Sequence, residues 1–226
     1  MLSLRQTLFT LSALLIFLFM FVYSFVTVNA TELPPYYFEA PLCDGGDSCP
    51  GKIFEDMPKA GHWSHDPIDW AIDTHVTQGT SDTAFSPAVV CNRAQIVTFL
   101  WRAKGSPAPS SGSCPFVDVP QGSYYYDAVR WAVQQGITKG TSQTTFSPRG
   151  NCTRAQIVTF LWRAAGTPKT GSSAFTDVSE DTYYAQAVAW AVGRNITKGT
   201  SETSFSPSAA CTRAQAVTFL YRWLKN

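Results

Sequence analysis

From residue 54 onward, apolar residues recur at helical spacing in paired windows, and each pair is followed by another like it. The clearest window sets Ile157, Phe160, Leu161 and Ala164 at i, i+3, i+4 and i+7, with Val158, Trp162 and Ala165 as a second stripe. A helix apolar on two faces is one buried between neighbours. Upstream, Ala128, Val129, Ala132 and Val133, with Trp131 beside them, predict a first helix ended by Gly136 and the Gly-Thr-Ser segment. In the first pair this helix is expected to open at Asp66-Pro67, because proline at the first helical position is preorganised for helix. The second helix announces its own start. Thr153-Arg154-Ala155-Gln156 fits the capping box, in which the hydroxyl accepts from the amide three residues on and the Gln side chain reaches back. Thr212 and Gln215 repeat it, and Asn92 with Gln95 gives a version in which Asn is the cap. The pattern predicts an all-α chain with two helices per unit and a long loop between them.

The units are copies of one paragraph. Trp70, Trp131 and Trp190, then Phe85, Phe146 and Phe205, then Arg93, Arg154 and Arg213 stand at matching places. Self-similarity at a fixed period means stacked units that cannot bury their apolar faces alone. Near-equal copies also suit repeated binding or scaffolding better than one asymmetric active site. The expected organisation is a leader over 1–30, a Pro- and Gly-rich linker or strap over 31–53, and repeats over 54–107, 116–168 and 175–226. The joints Ser106–Gly112 and Thr167–Gly171 are turn-rich surface connections.

Arg5 is the only charge before Glu32, and Leu8 to Val28 is almost unbroken hydrocarbon. With Val28-Asn29-Ala30 behind it, this reads as a secretory signal, the alternative being an uncleaved anchor of about 20 residues, enough to span a bilayer. Either way residues 31–226 are expected outside the cytoplasm. A net charge of +1 with both signs interspersed argues against a nucleic-acid surface. Six cysteines, Cys43, Cys49, Cys91, Cys114, Cys152 and Cys211, suggest disulfides in an exported chain, and sequence cannot choose their pairing. Cys91, Cys152 and Cys211 share one place in the repeat. With no C-x-x-C pair, zinc is not expected.

The order F-x-D-(V/M), then A-V-x-W-A-V running to G-I-T-x-G-T-S-x-x-x-F-S-P, then T-R-A-Q, resembles the S-layer homology (SLH) family over residues 54–226. The resemblance implies three repeats in one pseudo-threefold, spindle-like helical domain with grooves between repeats. It also implies non-covalent anchoring to a Gram-positive-type cell wall through secondary cell-wall polysaccharide, often pyruvylated. In the family the motif arginine meets the anionic sugar, a role that falls here on Arg93, Arg154 and Arg213. The chain departs from the family in having Gln95, Gln156 and Gln215 for the usual Glu, in Cys before the cap, and in a worn first repeat with Asn92 and Gln78.

A cation in the first turn of a helix opposes the macrodipole, so the three arginines ask for a reason. One reason is an anion at the helix N-terminus, where free amides and guanidinium converge. The other is a structural arginine bonding loop carbonyls. Gly79, Gly140 and Gly199 suit turns of positive φ, with backbone contacts to ligand as the further role. Lys139 and Lys198 are candidates for groove charge, and Trp63, Tyr125 and Tyr184 for stacking on a sugar ring. His62 and His65 with Asp66 and Asp69 look loosely like metal ligands but are not repeated, so no metal and no cofactor are expected. No nucleophile–base arrangement stands out, so the chain is not expected to be an enzyme. The expected partner is cell-wall polysaccharide, the alternative being an envelope-organising protein that binds other envelope proteins. Membrane enters only through an uncleaved leader.

Overall fold

The computed structural model describes residues 45–225, so the expected leader and the front of the strap lie outside the described residues. Six α-helices follow a short 3-10 turn at Pro50–Ile53. They are α1 (His65–Asp73), α2 (Arg93–Ala103), α3 (Tyr126–Gln134), α4 (Arg154–Ala164), α5 (Ala185–Gly193) and α6 (Arg213–Lys225). Two helices per repeat with a long loop between them is the architecture the periodicity predicts, and the fold is all-α. No helix among the described residues is long and apolar enough to cross a membrane.

The capping boxes form. Asn92 Oδ1 accepts from the Gln95 amide at 2.8 Å, and Gln95 Oε1 accepts from the Asn92 amide at 2.9 Å. Thr153 with Gln156 and Thr212 with Gln215 do the same. Gln therefore serves where the family has Glu. The start of α1 differs from expectation: it begins at His65, and Pro67 is its third residue. Proline is still tolerated there because a first-turn amide has no intrahelical partner to lose.

The packing does not follow the sequence repeat. α2 lies against α3, α4 against α5, and α6 against α1, so the second helix of each repeat covers the first helix of the next and the cycle closes. The second helices α2, α4 and α6 also touch one another. This is why they are apolar on two faces: one face meets the neighbouring repeat and the other meets the centre.

Just before these helices, the Cys91 amide donates to the Cys211 carbonyl, Cys152 to Cys91, and Cys211 to Cys152, at 2.8–2.9 Å. Three isolated antiparallel bridges flank this cycle of backbone bonds. All three cysteines are fully buried and carry free thiols, as does Cys114, whereas Cys49 is disulfide-bonded. The expectation of a disulfide framework is thus corrected for four of the six cysteines. Those on the ring occupy places where a small apolar side chain is needed, and they act as one.

Candidate functional site

Each interface between repeats is built around one arginine. Arg93 Nε donates to the Phe146 carbonyl at 2.9 Å, Arg154 Nε to Phe205 at 2.9 Å, and Arg213 Nε to Phe85 at 2.8 Å. Each acceptor lies in the next repeat around the cycle. A terminal guanidinium nitrogen reaches Thr77 from Arg213 and Thr197 from Arg154. Each guanidinium also sits over a phenylalanine ring of the receiving repeat at 4.8 Å, with one of the neighbouring second helices on its other side at 5.4–5.5 Å. Burial lowers all three from the ordinary arginine value, opposed by nearby thiols and carboxylates, Asp118 at Arg93 for example. A guanidinium stays charged in proteins regardless.

The phenylalanine that accepts from arginine belongs to a loop held from its other side by the aspartate of F-x-D. Phe146 and Ser147 donate their amides to Asp118 at 2.8 and 2.7 Å; Phe85 and Ser86 do so to Asp56, and Phe205 and Ser206 to Asp177. The serines Ser86, Ser147 and Ser206 hold φ of 58–60°. Non-glycine residues adopt this left-handed region at a cost, which the two carboxylate bonds offset here. Gly79, Gly140 and Gly199 also have positive φ, and a Cβ there would lie 2.5–2.7 Å from the ring of Phe54, Phe116 or Phe175. Close approach and conformation together require glycine.

The arginines are only 2–4 % exposed. The amides at the start of each second helix are also taken: Arg93 donates to Gly150 and Ala94 to Pro148, with equivalent bonds in the other two repeats. The idea of free helix amides waiting for an anion is therefore corrected. The carbonyls of the next repeat occupy them, and the cation in the first turn is explained by the carbonyl it holds. Among the described residues, Trp70 Nε1 and Arg130 Nε are fully buried side-chain nitrogens without a partner.

In repeat two a cleft of about 420 Å³ is lined by Asp118, Pro120, Tyr125, Ser147, Pro148, Arg149 and Gly150. Tyr125 stands where sequence reading placed a stacking ring. Trp63, also a stacking candidate, is 50 % exposed, and at the equivalent places of the other repeats, one position before Tyr125 and Tyr184, stand Tyr124 at 59 % and Tyr183 at 60 %. Sequence reading missed Tyr124 and Tyr183 because adjacent tyrosines give no sign of which faces out. Tyr184 is half-buried, its ring edge-on to Tyr183 at 5.0 Å. Burial raises both Tyr124 and Tyr183, and the charges of Arg102 and Arg213 act on Tyr124 as those of Arg93 and Arg163 act on Tyr183. At two interfaces an arginine from one repeat, a loop from the next and an aromatic from the third act together: Arg93 with the Phe146 loop and Tyr183, and Arg213 with the Phe85 loop and Tyr124. Lys139 and Lys198 are exposed, while Gln95, Gln156 and Gln215 commit Oε1 to the caps.

Repeat one carries a separate cluster. Asp69 Oδ1 accepts from the Gly51 amide at 2.7 Å, tying the strap to α1. In repeat two Arg130, at the same place, ties down the joint before that repeat by donating to the Ser110 and Gly112 carbonyls at 2.8 and 2.6 Å. His65 and Asp69 come together with Cys49, whereas His62 bonds Ser64 and packs on Trp63.

A family model of the S-layer homology domain matches residues 115–158 and 174–217. These two segments are S-layer homology repeats by that match, and residues 54–107 form a first repeat with the same two helices, arginine and aspartate staple. The chain is 27% identical over 177 residues to an S-layer protein of Bacillus thuringiensis subsp. finitimus, covering 75% of this chain and 21% of that protein. It is 26% identical over 209 residues to an amylopullulanase of Thermoanaerobacterium thermosulfurigenes, covering 89% and 10%. An endoglucanase of Bacillus sp. strain KSM-635 is 30% identical over 170 residues, covering 72% and 18%. The chain therefore spans about a fifth or less of the length of these relatives.

Proposed function

We propose that this chain is a non-enzymatic anchoring module of the cell surface that binds an anionic secondary cell-wall polysaccharide, of the pyruvylated class, in the clefts between repeats. The observation that carries the reading is a recurring exposed aromatic ring in the electrostatic field of two arginines, at Tyr124 and at Tyr183. An aromatic face covers the apolar side of a sugar ring, and cations beside it attract a carboxylate on the same residue. An S-layer protein, an amylopullulanase and an endoglucanase all carry a segment similar to this chain within a much longer protein, as a common anchor would require.

In this reading the buried arginines shape the cleft and supply its positive field, with only a terminal N–H reaching the ligand. Tyr125 and Arg149 line the cleft of repeat two, exposed Lys139 and Lys198 add positive charge to the surface, and the capping glutamines and turn glycines hold the local backbone. Weak sites around the cycle act together, so avidity exceeds the affinity of any one of them.

The test uses surface residues, because removing an arginine would damage the fold. The full chain with Trp63→Ala, Tyr124→Ala and Tyr183→Ala should keep its circular dichroism and lose most of its sedimentation with purified wall sacculi. Undiminished sedimentation of that folded variant would overturn the role of the aromatics. Retention on sacculi stripped of polysaccharide would favour the envelope-organising alternative.

A further inference from the structure

We propose that Cys49, His65 and Asp69 form a redox-gated site for a divalent cation of the zinc class, made competent when a thiol reductant opens the disulfide at Cys49. The three donor atoms converge: Cys49 Sγ lies 2.7 Å from Asp69 Oδ2 and 3.4 Å from His65 Nε2, and Asp69 Oδ2 lies 3.4 Å from His65 Nε2. All three residues are buried, at 6 %, 2 % and 5 % exposure.

Two features beyond proximity point to a cation. His65 Nδ1 lies 2.6 Å from the Pro58 carbonyl, which can only accept, so Nδ1 carries the proton and the Nε2 lone pair faces the cluster. The outer oxygen of Asp69 is held by the Gly51 amide, which leaves Oδ2 facing inward. Backbone groups that fix the ring and the carboxylate in this way are the usual outer shell of a metal site. The cluster is also more than the strap needs. In repeat two Arg130 and Gln134 hold the preceding joint with no such cluster, and repeat three has Ala185 and Ala189 at the places of His65 and Asp69.

The chemistry balances. Two thiols of the reductant become its disulfide, and the two protein sulfurs take up the electrons and protons. The Cys49 thiol then yields its proton to solvent as the cation binds. A thiolate and a carboxylate neutralise the two positive charges, which suits a buried place. Three protein ligands leave the fourth position to water.

The experiment uses the full chain carrying Cys114→Ser, so that the half-exposed thiol does not contribute. It is reduced with a dithiol, freed of reductant without oxygen, and titrated with Co²⁺. The expected result is one equivalent bound with a sulfur-to-cobalt charge-transfer band. The band should be absent from the oxidised chain and from Cys49→Ser, and affinity in His65→Gln should fall by more than about a hundredfold, beyond the usual loss from an outer-shell change. Absence of the band in the reduced, folded chain would overturn the proposal. So would its survival in Cys49→Ser, or equal binding before and after reduction.

Discussion

Arg93 and Asp118 are joined through a single peptide group. The carbonyl of the Phe146–Ser147 peptide accepts from Arg93 Nε, and its amide donates to Asp118 Oδ2. Cation and anion sit at the two ends of one peptide dipole, each in the sense that strengthens the other's bond. The same relay recurs with Arg154 and Asp177, and with Arg213 and Asp56, which closes repeat three onto repeat one. We predict that Asp118→Ala lowers stability by about 1–3 kcal/mol, because two amides lose their acceptor. Arg93→Ala should cost about as much or more, since a buried carbonyl is orphaned and two ring contacts vanish. Urea unfolding of the singles and the double should give a coupling above about 0.5 kcal/mol. Strict additivity would show that the peptide does not transmit.

Gly140→Ala tests the turn. Its φ of +79° and the 2.5 Å approach of a new Cβ to the Phe116 ring and the Thr145 carbonyl act together. The loss should exceed about 1 kcal/mol, the typical strain for the left-handed backbone alone. Thermal melts measure it, and an unchanged midpoint would mean that the loop yields freely.

The ring thiols give a pH dependence of known sign. Burial pushes Cys91 and Cys152 from the ordinary value of 9.0 up to about 12, against the lowering charges of Arg213 and Arg93. Between those values the unfolded chain has lost the protons and the native chain keeps them, so stability falls as pH rises through this window. Each thiol steepens the fall by up to about 1.4 kcal/mol per pH unit. Cys152→Val should flatten the slope of the urea midpoint against pH. In the native state an alkylating reagent should modify Cys114 and spare the three ring cysteines until denaturant is added.

The helices and the caps of the second helices were legible in the sequence because periodicity and capping chemistry are local, whereas the packing of each second helix on the next repeat was not. Arg93, Arg154 and Arg213 were also legible as residues demanding a partner. The partner was not, because Phe146, Phe205 and Phe85 lie in the next repeat, and nothing in a linear repeat says which copy a side chain reaches. The choice between Tyr124 and Tyr125 was hidden for a similar reason, since both precede the helix and only packing decides which turns outward. Cys49, His65 and Asp69 converge by tertiary folding of the strap; the sequence showed His65 and Asp69 close together but led to no expectation of a metal, because the sulfur lies in a distant segment.

A direct test of the central claim is sedimentation of the folded full chain with wall sacculi before and after chemical removal of pyruvate from their polysaccharide. We predict strong binding to intact sacculi and loss of most of it once the carboxylate is gone, with binding to untreated walls weakening as salt rises. Equal pelleting with treated and untreated sacculi would contradict recognition of an anionic glycan.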